Sequence, residues 1–379
     1  MQTTASVERT VPRRSLRRPS SSRLSSRALS HSFGSHLVTR QRISVVIPCY
    51  NSASFLPQAL QSVREQSRGV DEIIVVDDAS TDDSVAVARE AGVTCLSLES
   101  NVGPGAARNH GISSSTGDLV AFLDADDYWM PTHVEDVAGL LERYPESAVA
   151  FSRIRRVGEE DLVAPAYVPA GPPAYMFWQL IEENIVAQSS AVVRREILMR
   201  HGSYSSTLRY SEDYDLWLRL ARRYPFVCTS AVTACYRVHP NQASRNITQM
   251  VLGRWRVKHH FLSVAKKRES PAFVEQLEAQ MLRAFTYGLQ SAWDERNEAH
   301  LRAALAVHKL VPNSTKISKY WRRKYLLGWP LWVALGGAWD HMLPSVRRAV
   351  RPLLAPLFGP TGEREPLPDY LPPPNDVPE

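Results

Sequence analysis

Apolar positions along this chain come in short blocks separated by polar, helically spaced stretches, and the block lengths set the expected elements. Ile43-Ser44-Val45-Val46-Ile47-Pro48 is a nearly continuous apolar run closed by Pro, the pattern of a buried strand. Phe55 to Gln66 has helical spacing. Glu72 to Asp78 predicts a second strand, and Ser84 to Ala91 a helix that Ser80 or Thr81 would cap. Val93 to Leu98 is a third strand, Gly105 to Ser114 a third helix, and Leu119 to Leu123 a fourth strand. Strands alternating with helices predict an α/β fold with a doubly wound, mostly parallel sheet and helices on both faces. Ligands of such sheets sit outside the carboxyl ends of the strands.

The pattern then loosens. Residues 132–144 predict a helix and Ala148 to Arg156 a strand, before a Pro/Gly-rich loop over 157–175. A strand over 186–195, a helix from Asp213 to Arg223 and a strand region over 226–237 follow, and the chain is mainly helical to about residue 310. In residues 316–359, Lys316, Lys319, Arg322, Arg323 and Lys324 lead into an apolar run of about 13 residues that holds Trp329 and Trp332. A membrane span needs about 20. Basic flanks and Trp suit a helix lying on an anionic leaflet; a helix packed on the main domain fits equally well.

Charge changes the picture mainly at the ends. The chain of 379 residues carries a net +6. Residues 1–42 hold nine Arg and one Glu, and residues 360–379 hold one Arg and five acids, leaving the middle near neutral. The excess sits in an arm rather than on a folded face, which argues against nucleic acid as a partner. The Ser/Arg-rich arm has too few apolar residues to fold and no apolar core of a secretory signal. It resembles a transit peptide, or chain translated from too early a start. The acidic, Pro-rich tail over 360–379 is expected to be disordered. The four Cys form no metal or redox spacing, which suits the cytoplasm or the cytoplasmic face of a membrane.

Three acidic clusters fall where a ligand crevice is expected: Asp77-Asp78, Asp124-Ala125-Asp126-Asp127 and Glu212-Asp213. Singly, each is compatible with turn, capping or first-turn chemistry. Gathered in one crevice, they would repel and raise one another's pKa, a conflict that a divalent cation resolves. Mg²⁺ or Mn²⁺ takes carboxylate oxygens and completes its shell with phosphate and water. If the chain is extended there, Asp124 and Asp126 face one way with Ala125 turned away. Asp124 can then also reach a ribose hydroxyl, and Asp77 or Asp78 a base or ribose. Asn101 to Gly111 adds a Gly-rich helix start, where Gly permits close backbone approach and Arg108 can meet ribose or phosphate.

The segments VVIPCYN at 45–51, IIVVDDASTDDS at 73–84, NVGPGAARNHG at 101–111, FLDADD at 122–127 and SEDYDLWLRLA at 211–221 together resemble the family 2 glycosyltransferases of the GT-A fold. The likeness covers roughly residues 43–240, and it implies inverting transfer from a nucleoside-diphosphate sugar, with UDP-sugars the commonest donors. It implies that Pro48, Tyr50 and Asn51 lie along the nucleotide, with Asp77 and Asp78 near base and ribose. Arg108 and Asn109 match the stretch that closes over the donor. Asp124 and Asp126 match the metal-binding DxD, and Asp213 the catalytic base, with Glu212 its neighbour or alternative. Arg237-Val238-His239 matches a late segment that approaches diphosphate or metal. His239 is then a further metal ligand, or else a surface His before Pro240.

On this likeness residues 43–245 form the glycosyltransferase domain, with 43–130 as its nucleotide-sugar half and 131–245 as its acceptor half. Residues 246–359 form a helical extension able to contact a membrane. With no multi-span channel, transfer of a single sugar is expected, to a saccharide or lipid-linked saccharide. The region 157–210, with Tyr167, Tyr175, Trp178 and Gln188, would shape the acceptor site. Two rivals remain. A nucleotidyltransferase-like enzyme would want a Gly-rich basic loop where Pro48-Cys49-Tyr50-Asn51 stands. An inactive nucleotide-sugar-binding protein would turn over no donor.

Overall fold

A computed structural model of the chain describes residues 40–158, 162–164 and 170–322. The expectations placed on 1–39, on Tyr167 and on 323–379 lie outside these residues.

The first half follows the apolar blocks. Strand β1 (Ile43–Cys49) leads to helix α1 (Leu56–Arg64), β2 (Glu72–Asp77), α2 (Ser84–Glu90), β3 (Thr94–Ser97), α3 (Pro104–Ser114) and β4 (Leu119–Phe122). β1 lies parallel between β2 and β4, and β2 is parallel to β3. Every side chain of β4 is fully buried, as a strand covered on both faces requires. The register sets Cys49 beside Asp77, so β1, β2 and β4 deliver their polar carboxyl ends to one rim of the sheet. Ser80 and Thr81 do not cap α2. The Ser80 hydroxyl accepts from the Asn51 N–H, and the Thr81 N–H donates to Asn51 Oδ1, tying the two strand ends together.

The second half departs from the expected parallel pattern. It contains β5 (Tyr128–Trp129), α4 (His133–Arg143), β6 (Val149–Val157), β7 (Leu162–Ala164), α5 (Phe177–Glu182), a 3-10 turn (Gln188–Ser190), β8 (Ala191–Arg194), α6 (Arg195–His201), α7 (Glu212–Ala221) and β9 (Phe226–Arg237). The sheet order is β3-β2-β1-β4-β8-β6-β9-β5, with β7 paired to β6. β8 is antiparallel to both β4 and β6, and β5 is antiparallel to β9. Only β6 and β9 are parallel here. β7 lies within the expected loop, and β5, α5 and α6 arise where no element is expected, because each is too short to leave a periodic pattern.

Helices α8 (Ile247–Arg268), α9 (Pro271–Asp294) and α10 (Glu298–Ala306) follow, and residues 315–322 at the end of the described chain are helical as well. Their buried faces join those of α5, α7 and one side of the sheet in one apolar core that includes Phe122, Phe151, Trp217, Trp255 and Phe285. Burying each such side chain contributes about 1.5–3 kcal/mol. The described part of the helical extension is therefore welded to the sheet. Among the described residues no helix is long and apolar enough to cross a membrane.

Candidate active site

The acidic run after β4 is a turn, not an extended segment. The Asp127 N–H donates to the Asp124 carbonyl at 3.0 Å, a four-residue reversal. Ala125 is buried, while Asp124 and Asp126 keep 26% and 30% of their side chains exposed on the rim. Turn geometry rather than strand pleat sets the directions of Asp124 and Asp126. Asp127 is fully buried. Its carboxylate accepts from the Ser189 hydroxyl at 2.5 Å and the Arg237 N–H at 2.8 Å. Burial, then the charges of Asp126 and Asp124, push its carboxyl well above the usual range. Asp127 pins the turn to its neighbours and is closed to a ligand.

Antiparallel pairing of β5 with β9 sets Tyr128 opposite Cys235, which carries the end of β9 past the acidic turn. Arg237 Nε donates to the Asp126 carbonyl at 2.8 Å, and its guanidinium lies over the rings of Phe55 and Tyr128. His239 Nε2 is 3.0 Å from Asp126 Oδ2, and its ring packs on Phe55. The fold thus joins two residues 113 positions apart.

Arg108 joins the acidic turn to the third cluster. It projects from α3 and is only 4% exposed. One terminal nitrogen donates to Asp124 Oδ1 at 2.6 Å and the other to Glu212 Oε1 at 2.8 Å. The guanidinium is occupied by protein carboxylates, where ribose or phosphate contact is the expectation from sequence. Gly105 lets α3 come this close, since a Cβ there would stand 3.0 Å from Glu212 Cγ. Its closeness serves the α3–α7 contact rather than a ligand. Asn109 likewise faces inward: its amide donates to the Tyr204 carbonyl and accepts from the Tyr204 N–H, at 2.8 and 2.9 Å.

Glu212 and Asp213 open α7 just after Ser211, which holds a left-handed φ of 62°. A non-Gly residue persists there only when its surroundings enforce it. Burial raises the Glu212 carboxyl; Arg108 opposes this and Asp213 adds to it. Asp213 is also raised by burial, against the Tyr214 N–H, the Arg108 charge, the Asn184 amide and the Arg254 charge. The Asn184 amide donates to Asp213 Oδ2 at 3.1 Å. A partly buried carboxylate raised in this way is suited to taking up a proton.

On the other side of the rim, the two acids of the β2 end separate in role. Asp78 accepts from the N–H groups of Val102 and Gly103 at 2.7 and 2.8 Å, and so shapes the loop before α3. Gly103 meets that demand with φ 92°. Asp77 Oδ2 accepts from the Ser80 N–H, while its Oδ1 is buried with no protein partner. Pro48 and Asn51 flank the β1 end, where the Asn51 side chain is taken up by Thr81. Tyr50 is 49% exposed beside them.

Among the described residues no three His, Cys, Asp or Glu side chains converge as a ready-made metal cage. Asp126 with His239, beside Asp124, nevertheless fits a hard divalent ion. Mg²⁺ and Mn²⁺ are commonly held by one or two side chains, with substrate phosphates and water completing the shell. Burial and the charge of Asp124 raise the Asp126 carboxyl, the repulsion a cation would relieve.

Sequence reasoning missed Ser189, Asn184, Tyr204 and Gln58. Ser189 accepts from the Asp124 N–H and donates to Asp127, Tyr204 packs beside Arg108, and Gln58 accepts from Arg237. None sits in a distinctive spacing, so no local signal could have found them.

Comparison with known proteins agrees with this architecture. Residues 44–202 match the profile described as glycosyl transferase family 2. The chain is 30% identical over 210 residues to the Escherichia coli UDP-Glc:alpha-D-GlcNAc-diphosphoundecaprenol beta-1,3-glucosyltransferase WfaP, covering 54% of this chain and 80% of that one. It is 30% identical over 204 residues to the Rhizobium meliloti succinoglycan biosynthesis protein ExoU, covering 47% and 56%. Among solved structures, S. aureus TarS 1–349 in complex with UDP-GlcNAc superposes with a TM-score of 0.57 at 18% identity, over 74% of this chain and 87% of that one. The mannosyltransferase PcManGT from Pyrobaculum calidifontis, in complex with GDP-Man and Mn²⁺, gives 0.54 at 19% identity, over 84% and 85%. At that identity the structural likeness speaks to fold, and with the sequence matches it establishes that this chain is a glycosyltransferase of family 2, built on an α/β fold of the GT-A type.

Proposed function

We propose that the chain moves one sugar from a nucleoside-diphosphate donor, a UDP-sugar, to a hydroxyl of a saccharide or lipid-linked saccharide, with inversion. The observation that carries this reading is the Arg108 bridge. One guanidinium spans from Asp124 on the donor rim to Glu212, the immediate neighbour of Asp213. Donor and acceptor chemistry thereby share one short axis. The donor class is supported by one relative whose name states UDP-Glc and a diphosphoundecaprenol-linked acceptor, and by the fold neighbour bound to UDP-GlcNAc.

In this reading Asp77 and Tyr50 receive the nucleoside. Asp126 and His239, with Asp124, hold a Mn²⁺ or Mg²⁺ ion, which when bound supplies positive charge to the diphosphate. Asp213 takes the proton of the acceptor hydroxyl as that oxygen bonds to the anomeric carbon and the bond to the diphosphate breaks. Glu212, neutralised by Arg108, is the weaker base. A lipid-linked acceptor also accords with membrane contact through residues 316–359, where Tyr320 is exposed among Lys316, Lys319 and Arg322.

The test is a thermal-shift screen of UDP-, GDP- and dTDP-sugars with and without Mn²⁺. At a concentration of 100 Kd the true donor stabilises the fold by about 2.7 kcal/mol, and chelation should abolish most of that. If no nucleotide sugar moves the midpoint in the presence of metal, the donor reading fails.

A further inference from the structure

The extension helices α8 and α9 lie beyond the span matched by the family profile, yet they close on the residues that position Asp213. Asn184, whose amide donates to Asp213 Oδ2, follows directly on the end of α5. That end is gripped from the extension. Lys258 of α8 reaches the Glu182 carbonyl with its Nζ at 3.4 Å, and Gln280 of α9 donates to the Glu182 carboxylate. The ring of Phe177, at the start of α5, packs against Phe261 of α8 and Phe273 of α9.

Lys258 is an unusual residue for this position. It is 5% exposed, and its ammonium lies 4.5 Å from the centre of the Trp255 ring and 5.9 Å from that of Tyr214. Burial, with the charge of Arg254, lowers it to about 7. An ammonium kept so deep is costly unless it makes a specific contact, and the contact it makes is to the segment that carries Asn184. A second contact keeps α8 from sliding. Gly253 lets the helix lie against the turn before α7, since a Cβ there would stand 2.9 Å from Ser211 Oγ and 3.1 Å from the Tyr210 carbonyl.

We infer that the C-terminal extension belongs to the catalytic apparatus: Lys258 and Gln280 are positioning residues that hold the Glu182–Asn184 segment so that Asn184 keeps its hydrogen bond to Asp213. The inference rests on Asp213 being the base. Facing that carboxyl are Arg108 from α3, Arg254 from α8, Tyr204 from the 203–210 loop and Glu212 on its own helix. None of these is altered in the variants below.

The readout is the titration of the Asp213 carboxyl carbon by ¹³C NMR in the full chain without ligand, identified as the resonance lost in Asp213→Asn. A hydrogen bond to the ionised carboxylate lowers its pKa, so Asn184→Ala should raise the midpoint by roughly half a pH unit. Lys258→Met keeps the apolar stem and removes only the ammonium, so its unfolding midpoint should not fall. It should raise the Asp213 midpoint comparably to Asn184→Ala, and the double variant should go no further than Asn184→Ala alone. A Lys258→Met titration that overlays wild type overturns the inference, as does a shift that persists in full in the Asn184→Ala background. Asp213→Asn retaining wild-type transfer would instead overturn the base assignment, and with it this role for Lys258.

Discussion

Replacing Arg108 with Met would remove the one cation between two carboxylates. Arg108 is 4% exposed, Glu212 9% and Asp124 26%. Removing one partner of a buried pair costs about 3–5 kcal/mol, because the other charge is left without compensation. Asp124 can rehydrate at the rim, so the Glu212 half dominates and a loss of about 3 kcal/mol is expected near pH 7.5. The sign of the pH dependence follows from Glu212. Burial already raises its carboxyl above the ordinary 4.5, and without Arg108 it rises further. The folded variant then keeps a proton that the unfolded chain releases. The penalty is complete above the folded pKa and disappears as pH falls towards the unfolded value. Urea unfolding of wild type and variant, followed by Trp fluorescence near pH 7.5 and pH 5, measures both quantities. A loss below about 1 kcal/mol would refute the reasoning, as would one equal at the two pH values. Adding Glu212→Gln to Arg108→Met should recover part of the loss near pH 7.5.

Asp213→Asn should cut turnover about a hundredfold or more, the span of general-base catalysis, and leave donor affinity by calorimetry nearly unchanged. In wild type the activity should fall with acid through a midpoint above the ordinary Asp value of 3.8, since burial raises this group and only its ionised form accepts a proton. Asp126→Ala should weaken donor binding in Mn²⁺ and leave the metal-free affinity nearly unchanged, as paired titrations with and without chelator would report. Gly111→Ala should destabilise the fold by about 1–3 kcal/mol, because the new Cβ presses directly on Val46 Cγ1 and stands 3.2 Å from Val76 Cγ2; thermal unfolding would show it.

The first four strands and their helices are legible because each is a local pattern. An apolar block such as Leu119–Leu123 can be satisfied only by burial on both faces, and the acids that follow it must then emerge at a rim. The five motifs in order were likewise visible in the bare chain, which is why the α/β glycosyltransferase fold could be expected from sequence. The partners of each site residue were not visible there. Asn109 and Arg108 are adjacent in a motif that suggests ligand contact, yet one clamps Tyr204 and the other bridges Asp124 to Glu212, 104 positions away. A motif records which side chains are polar and where they leave the backbone; it does not record what packs opposite. The antiparallel turn of β8 and β5, the approach of His239 to Asp126 and the seating of α8 against Ser211 all depend on long-range pairing. Such contacts are set by how buried strand faces and helix faces close on one another, and that is decided only when the whole core assembles.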